Sequence, residues 1–304
     1  MTSIALNPEL ASISRLIIQG SMLFYSAAFL SFVFHLSRLA STKKSLRQAA
    51  TKLERVGILL LAIAAVIHGS GVVLRGIAAS RVPWANMYEF SITGSFIVVV
   101  IFLIALFIKD IRLIATFVSG FTLLILGSAD VVFWVNVKSL MPALQSYWLV
   151  IHVLVAVLAT AFFNIAAALS IAYIFKTAKW VEKSKLKFVA LLKRILGLFP
   201  SIEKLESLAY RFNIIGFILW SFTLIAGAIW AERAWHRYWG WDTKEVWTFI
   251  IWTIYAGYLH ANATRGWSGK RSAWLAIIGF VAILFNFTVV NLFFKGLHVY
   301  SGLK

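Results

Sequence analysis

The 304-residue chain contains no cysteine, and only 13% of its residues are charged. The missing cysteine removes disulfides, thiolate metal sites, iron–sulfur clusters and cysteine nucleophiles from consideration. It says little about redox compartment, because there is no thiol to protect. Soluble domains average about 25% charged and about 45–50% apolar residues. This chain is 61% hydrophobic, with a mean hydropathy of +0.87. A water-soluble globule could not hide that much apolar surface, which excludes a soluble enzyme, a disordered tail and a fibrous protein. The composition predicts an all-α polytopic integral membrane helical bundle. Acidic residues are also scarce, with 11 Asp and Glu against 29 Lys and Arg and a net charge of +18. In a soluble chain that balance would point to nucleic acid. In a membrane chain it reports orientation, and no nucleic-acid partner is expected.

A bilayer-spanning helix needs ~20 mostly apolar residues. Eight such stretches occur, at about 16–37, 56–77, 88–108, 113–133, 148–175, 210–230, 245–262 and 273–294. The residues before Arg15 lack a basic start and a short apolar core, so no cleavable signal is expected. There is no strong internal repeat, and residues 1–304 read as a single membrane domain. The connections at 38–55, 109–112, 176–211 and 264–272 carry 20 of the 29 Lys and Arg residues. Every second connection is therefore the basic one. The positive-inside rule puts all four in the cytoplasm and both termini outside it. The basic cytoplasmic loop at 176–207 contains an amphipathic run, Leu186 to Leu198, expected to lie along the membrane surface.

The polar residues left over need explaining. Between the sixth and seventh stretches, five of the 13 tryptophans fall within residues 230–247, where an even spread would put fewer than one. Two readings stand. Trp and Tyr favour the headgroup level, which makes an aromatic belt. Alternatively, large rigid indole faces interleaved with Glu232, Arg237 and Asp242 make a surface for a flat apolar ligand. Six histidines are present: His35, His68, His152, His236, His260 and His298. An ionisable group in a bilayer is expensive and is a functional candidate by default. For a lone histidine the alternative is a helix–helix hydrogen bond. At ~1.5 Å rise per residue, His152 lies roughly 7 Å below the outer rim, and His298 follows the eighth stretch at the same level. His260 lies ~22 Å from Glu245, towards the cytoplasmic half. His68 falls mid-span and His35 at the basic end of the first stretch. Two neutral imidazoles at one level suit axial ligation of haem iron. The porphyrin would stack on indoles, and its propionates would want Arg75, Arg81, Arg233, Arg237 or Lys295, which fall on or near that side. Zinc in a His/Asp/Glu cluster is the rival, but it would not need the tryptophans. Asp242 and Glu245, spaced i, i+3, share a helix face and would orient the loop. The stretch Arg81 to Phe90 forms a third outer patch that could cover a pocket.

These residues carry a family resemblance. Tyr238-Trp-Gly-Trp-Asp242-Thr-Lys-Glu245-Val-Trp247 resembles the tryptophan-rich WWD signature of haem-handling membrane proteins of cytochrome c biogenesis. Pro83-Trp-Ala-Asn-Met-Tyr-Glu89, Tyr258-Leu-His260, Phe285-Asn286, Val290-Asn291 and Gly296-Leu-His298-Val-Tyr300 are similar to the CcsA/ResC branch, also called CcsB. The likeness spans about 16–300. The CcmC branch is typically shorter and CcmF much larger. Thr243 departs from the usual Pro, and His236 and Arg237 stand where small residues are common; His236 is a rival ligand at the same level.

The resemblance implies a subunit of the system II cytochrome c synthase, a haem lyase complex formed with a ResB/CcsB-type membrane partner. It would carry haem b to the extracytoplasmic side and present it for thioether attachment to the CxxCH motif of an apocytochrome c. Thiol-reducing biogenesis proteins would assist. It implies that His152 and His298 ligate an external haem iron beside the loop at 231–247, over Trp235, Trp239, Trp241, Asp242 and Trp247. His260 would belong to an inner haem site whose second ligand comes from the partner. The location would be a bacterial plasma membrane or a thylakoid membrane. The alternative is a CcmC-like haem exporter or chaperone with no direct part in attachment. An unrelated transporter or scaffold with a Trp-rich lid would bind no haem.

Overall fold

Long apolar runs become helices whose ends are set by short polar side chains. Asn7 accepts from the Leu10 N–H at 2.9 Å, with Pro8 opening the first turn, and α1 runs Pro8–Leu39. Helix α2 spans Lys44–Ala79 and stops at Ser80 in the left-handed region. Asn86 caps α3 (Met87–Ile108) by accepting from the Glu89 N–H. A 3₁₀ turn at Arg112–Ile114 leads into α4 (Ala115–Val132). Ser146 caps α5 (Tyr147–Lys176). Two short helices follow, α6 (Lys179–Lys183) and α7 (Lys187–Leu198). Ser201 then caps α8 (Ile202–Trp235). Helix α9 is Thr243–Ala263, and α10 is Lys270–Phe285. Helix α10 passes into a π-helical segment, Asn286–Val290, and a last turn at Asn291–Phe293. This computed structural model describes residues 6–41, 43–140, 144–264, 267–294 and 296–298. No strand occurs among them. Arg265, Lys295, Val299 and Tyr300 lie outside the described residues.

A helix stands at each of the eight apolar stretches, and seven are long and apolar enough to cross a membrane. The exception is α9, which is long enough at 21 residues. Lys244, Glu245, His260, Asn262 and its tyrosines make it too polar to qualify. Several helices overrun the expected spans, because an α-helix ends where a cap or breaker stops it and not where the apolar run does. The amphipathic run is helical as expected. Val189 and Leu196 of α7 pack on Val181 of α6, leaving Leu186 and Phe188 exposed.

Helix α1 packs along α2, and α5 along α8. One apolar core joins α1–α4 with faces of α5 and α8. A second joins another face of α5, through Phe163 and Ala167, to α8, α9 and α10. Close packing needs glycine at Gly216, where a Cβ would come within 2.7 Å of the Phe163 ring.

Hydrogen bonds identify the two ends of the bundle. At the basic end, Ser31 donates to Leu53 O, and Arg112 bonds Glu54 at 2.6 Å. Lys176 donates to Phe199 O at 2.6 Å, and Asn262 bonds Ser272. At the opposite end, Arg15 meets Asp130 at 2.6 Å. There Glu89, fully buried, takes Arg75 at 3.1 Å and Arg81 at 2.5 Å. The tryptophan-rich connection is at this second end.

Candidate functional site

The site begins with how α8 stops and α9 starts. His236 takes a left-handed conformation (φ 55°) and returns its N–H to Glu232 O, ending α8. Asp242 and Glu245 then form a reciprocal capping box at the start of α9. Glu245 Oε2 accepts the N–H groups of Gly240 (2.8 Å) and Asp242 (3.0 Å). Asp242 Oδ1 accepts from the Lys244 N–H at 2.9 Å. The expected orienting role of both carboxylates is what the geometry displays.

Asp242 also holds the chain after the last turn. Its Oδ2 accepts from the Leu297 N–H at 2.7 Å, and its Oδ1 faces His298 Nδ1 at 3.2 Å. Burial pushes the Asp242 carboxyl up, but bonds from His298, Lys244 N–H and Leu297 N–H outweigh it and bring it down to about 2. An ionised carboxylate only accepts, so His298 donates from Nδ1 and its Nε2 is the basic nitrogen. His152 has the same polarity for a different reason. Its Nδ1 lies 2.9 Å from the Thr223 carbonyl on α8, which can only accept. Nε2 is again the nitrogen with the lone pair. Such second bonds fix imidazole orientation and tautomer at metal sites.

Both rings gather on Trp230, which is 1% exposed. His152 stacks on it with centroids 5.9 Å apart and planes at 22°. His298 meets it edge-on at 5.4 Å and meets Trp235 at 4.8 Å. Room for the His152 ring comes from Gly227, where a Cβ would come within 2.8 Å of Cε1 and Nδ1. The two histidines line two cavities, of about 210 Å³ and about 40 Å³. The larger runs between α3, α4, α5 and α10, from Trp84 and His298 down to Thr122 and Asn164. Its lining is mostly apolar, and the buried Asn164 amide and Thr122 hydroxyl have no hydrogen-bond partner. The smaller is lined by Trp239, Tyr238 and Glu245.

The sequence-predicted residues therefore separate. His152, His298, Trp235 and Asp242 come together around Trp230, and Trp239 lines the smaller cavity. Trp241 is 76% exposed, as a belt residue would be. Trp247 packs on Phe285 at 4.4 Å and lines neither cavity. His260 is exposed far along α9, away from this group. His236 is exposed and lines neither cavity, so the rival ligand is used as a helix stop. His68 is buried against Tyr25 (3.2 Å), and His35 against Ala50 O and Glu54. Among the described residues no three His, Asp or Glu side chains converge on one point.

The proposed propionate partners are also redistributed. Arg75 and Arg81 are committed to Glu89. Arg233 lies over the Tyr147 ring at 5.1 Å, and Arg237 folds across Gly240. The basic residue lining the larger cavity is Lys244, which the sequence reading passed over inside the signature. Gly227, Thr223 and Trp230 were also missed as site residues. Gly227 has no sequence signal, because it is defined by a ring 75 positions away on α5.

Comparison with known proteins agrees with the resemblance read from the motifs. The sequence pattern of the family described as "Cytochrome C assembly protein" matches residues 84–298. That range contains every site residue above. The chain is 36% identical over 265 residues to the cytochrome c biogenesis protein CcsA of Prochlorococcus marinus, covering 80% of this chain and 83% of that one. It is 34% identical over 245 residues to CcsA of Guillardia theta, covering 76% and 80%. It is 32% identical over 268 residues to CcsA of Cyanophora paradoxa, covering 75% and 82%. The motifs, the helical bundle and these matches together make the chain a member of the CcsA family of cytochrome c assembly proteins.

Proposed function

We propose that the chain holds haem as cargo between His152 and His298 and presents it for thioether attachment to the CxxCH motif of an apocytochrome c. Family membership puts the chain in cytochrome c biogenesis as an integral membrane protein. The observation that carries the finer reading is the matched pair of imidazoles on Trp230. Each is oriented by an acceptor at Nδ1, and each has Nε2 as its basic nitrogen at the mouth of an apolar cavity. Iron in haem accepts imidazole nitrogen, and Trp230, Trp235 and Trp239 supply the faces a flat macrocycle stacks on. At about 210 Å³ the larger cavity is below the ~300–1,000 Å³ usual for ligand sites. A porphyrin therefore occupies it only as the walls around the histidine pair separate.

The chemistry of attachment adds each substrate thiol across a vinyl group, forming an S–C bond while the thiol proton goes to the other vinyl carbon. This chain has no cysteine, so both thiols come from the substrate. Its own residues hold, orient and shield. Asp242 keeps His298 in register, Thr223 and Gly227 keep His152 in register, and the exposed Tyr238 and Trp241 stand where an incoming polypeptide would dock. The basic end faces the cytoplasm and both termini face away, in a bacterial plasma membrane or a thylakoid membrane. His260, exposed on α9 towards the basic end, contributes one ligand to an inner haem contact. A ResB-type partner provides the other.

The test is the absorption spectrum and haem content of the chain purified with its partner, compared with His152→Ala and His298→Ala. Loss of the bound spectrum, restored by added imidazole, is expected. Unchanged haem and spectrum in both variants would sink the reading. Thioether yield in a reconstituted system separates a synthase subunit from a haem exporter, which would leave the haem non-covalent.

A further inference from the structure

A lysine amine inside a protein needs acceptors, and a charged one needs an anion. Lys244 lies in the first turn of α9 and lines the larger cavity together with His152 and His298. Its Nζ donates to Asn291 Oδ1 at 2.7 Å and to Asn286 O at 3.3 Å. Both acceptors are neutral. The Asn286 carbonyl belongs to the π-helical segment; such segments loosen the regular ladder and recur at functional sites. Neither carboxylate of the capping box pairs with the amine. Asp242 is engaged by His298 and by the N–H groups of Lys244 and Leu297, while Glu245 Oε2 is engaged by those of Gly240 and Asp242. Among the described residues, Lys244 is the one lysine or arginine lining the larger cavity, none lines the smaller, and Lys244 makes no ion pair. A second observation shows that this wall is incomplete without a polar ligand. Asn286 also lines the cavity, is 5% exposed, and its Oδ1, an acceptor, has no donor. The N-terminus of the 21-residue α9 adds positive potential at this spot.

We propose that Lys244 is the anion receptor of this cavity and takes a carboxylate of the ligand. This rests on the haem reading, in which that carboxylate is a propionate. Propionates and vinyls occupy different edges of the macrocycle. Anchoring a propionate at the start of α9 therefore selects which edge faces away for the substrate thiols. Lys244 acts as an orienting and specificity-determining residue, separate from the axial ligands.

The probes are ferric haem and ferric haem dimethyl ester, which keeps the iron and the ring but lacks both negative charges. Each is titrated into the purified full chain and into Lys244→Gln and Lys244→Arg, following the Soret band. A charge-assisted bond in a water-poor site predicts that the unsubstituted chain prefers haem over the ester by about ten- to a hundredfold. Lys244→Gln lowers haem affinity to that of the ester and leaves ester affinity unchanged, and Lys244→Arg keeps the preference. Equal weakening of haem and ester by Lys244→Gln marks a purely structural role and overturns the inference. So does equal affinity of the unsubstituted chain for the two probes, a measurement that needs no variant to fold. A Soret band that does not depend on His152 and His298 overturns the haem reading and this inference together. A histidine-dependent band without ester discrimination overturns this inference alone.

Discussion

Adding one methyl group to Gly227 should break the site without replacing either ligand. A Cβ at this position of α8 would come within 2.8 Å of Cε1 and Nδ1 of His152, and 3.7 Å from Nε2. Ordinary contact begins near 3.4 Å, so the imidazole must retreat by about 0.6 Å or rotate. Either motion works against its 2.9 Å bond to the Thr223 carbonyl and its stacking on Trp230. Overpacking of this kind costs about 1–3 kcal/mol, and the lost hydrogen bond about 1 kcal/mol. Replacing a mid-helix glycine by alanine offsets roughly 0.5–1 kcal/mol of that. Haem affinity should fall on the order of ten- to a hundredfold, with loss of the spectrum given by two histidine ligands. The control is Gly257→Ala on α9, where nothing lies within 4 Å of the new methyl. That variant gains the helix term alone and keeps the spectrum. The assay is a haem titration followed by absorption, with thermal unfolding in detergent. A double variant with His152→Ala should show no further loss from Gly227→Ala. A Gly227→Ala protein with unchanged haem affinity, or one that loses affinity equally when His152 is already absent, would refute the reasoning.

Trp230→Phe should weaken haem binding and alter its spectrum, because both histidines lean on that indole. Trp247→Phe should lower the melting temperature while leaving the spectrum alone, since Trp247 packs on Phe285 outside both cavities; absorption and unfolding of the two variants check this. The Asp242 carboxyl is held below its ordinary range, at about 2. Its clasp on Leu297 and His298 is therefore complete above pH ~4 and is lost as pH falls towards 2, because protonation favours the loosened state. Protease sensitivity of the C-terminal segment, measured down the pH scale, should rise only in that acid window, and Asp242→Ala should make it high throughout. Glu89→Gln leaves Arg75, fully buried, beside Arg81 without a carboxylate. It should destabilise the bundle by about 3–5 kcal/mol, read as a drop in melting temperature.

Features set by local chemistry were legible in the sequence. Apolar length placed a helix at each of the eight stretches, and the i, i+3 pair Asp242 and Glu245, read as orienting the loop, forms a capping box. Lysine and arginine positions sorted the connections into two kinds. Properties that depend on which helices touch were not legible. Arg75 and Arg81 read as candidate propionate partners, although Glu89 on the next helix already pairs with both. Trp235, Trp239, Trp241 and Trp247 read as one platform, yet a left-handed turn at His236 and another at Trp241 (φ 59°) send them in different directions. Trp230 and Trp235 face the histidines, Trp239 the smaller cavity, Trp241 the outside and Trp247 the core. Lys244 looked like one more loop charge, because only the packing of α9 on the π-helical segment reveals that it lines the cavity. Helix α9 is as long as a span needs, and its polar residues are what keep it below the hydropathy of the other seven.

The central claim is that His152 and His298 ligate one haem iron from opposite sides. The most direct measurement is the absorption spectrum of the protein purified with its partner, as isolated and with each histidine replaced by alanine, before and after adding imidazole. The account predicts a two-histidine haem spectrum in the unsubstituted protein, loss of it in either variant, and its return with imidazole in both. Haem content and spectrum that survive both replacements, with no response to imidazole, would contradict it.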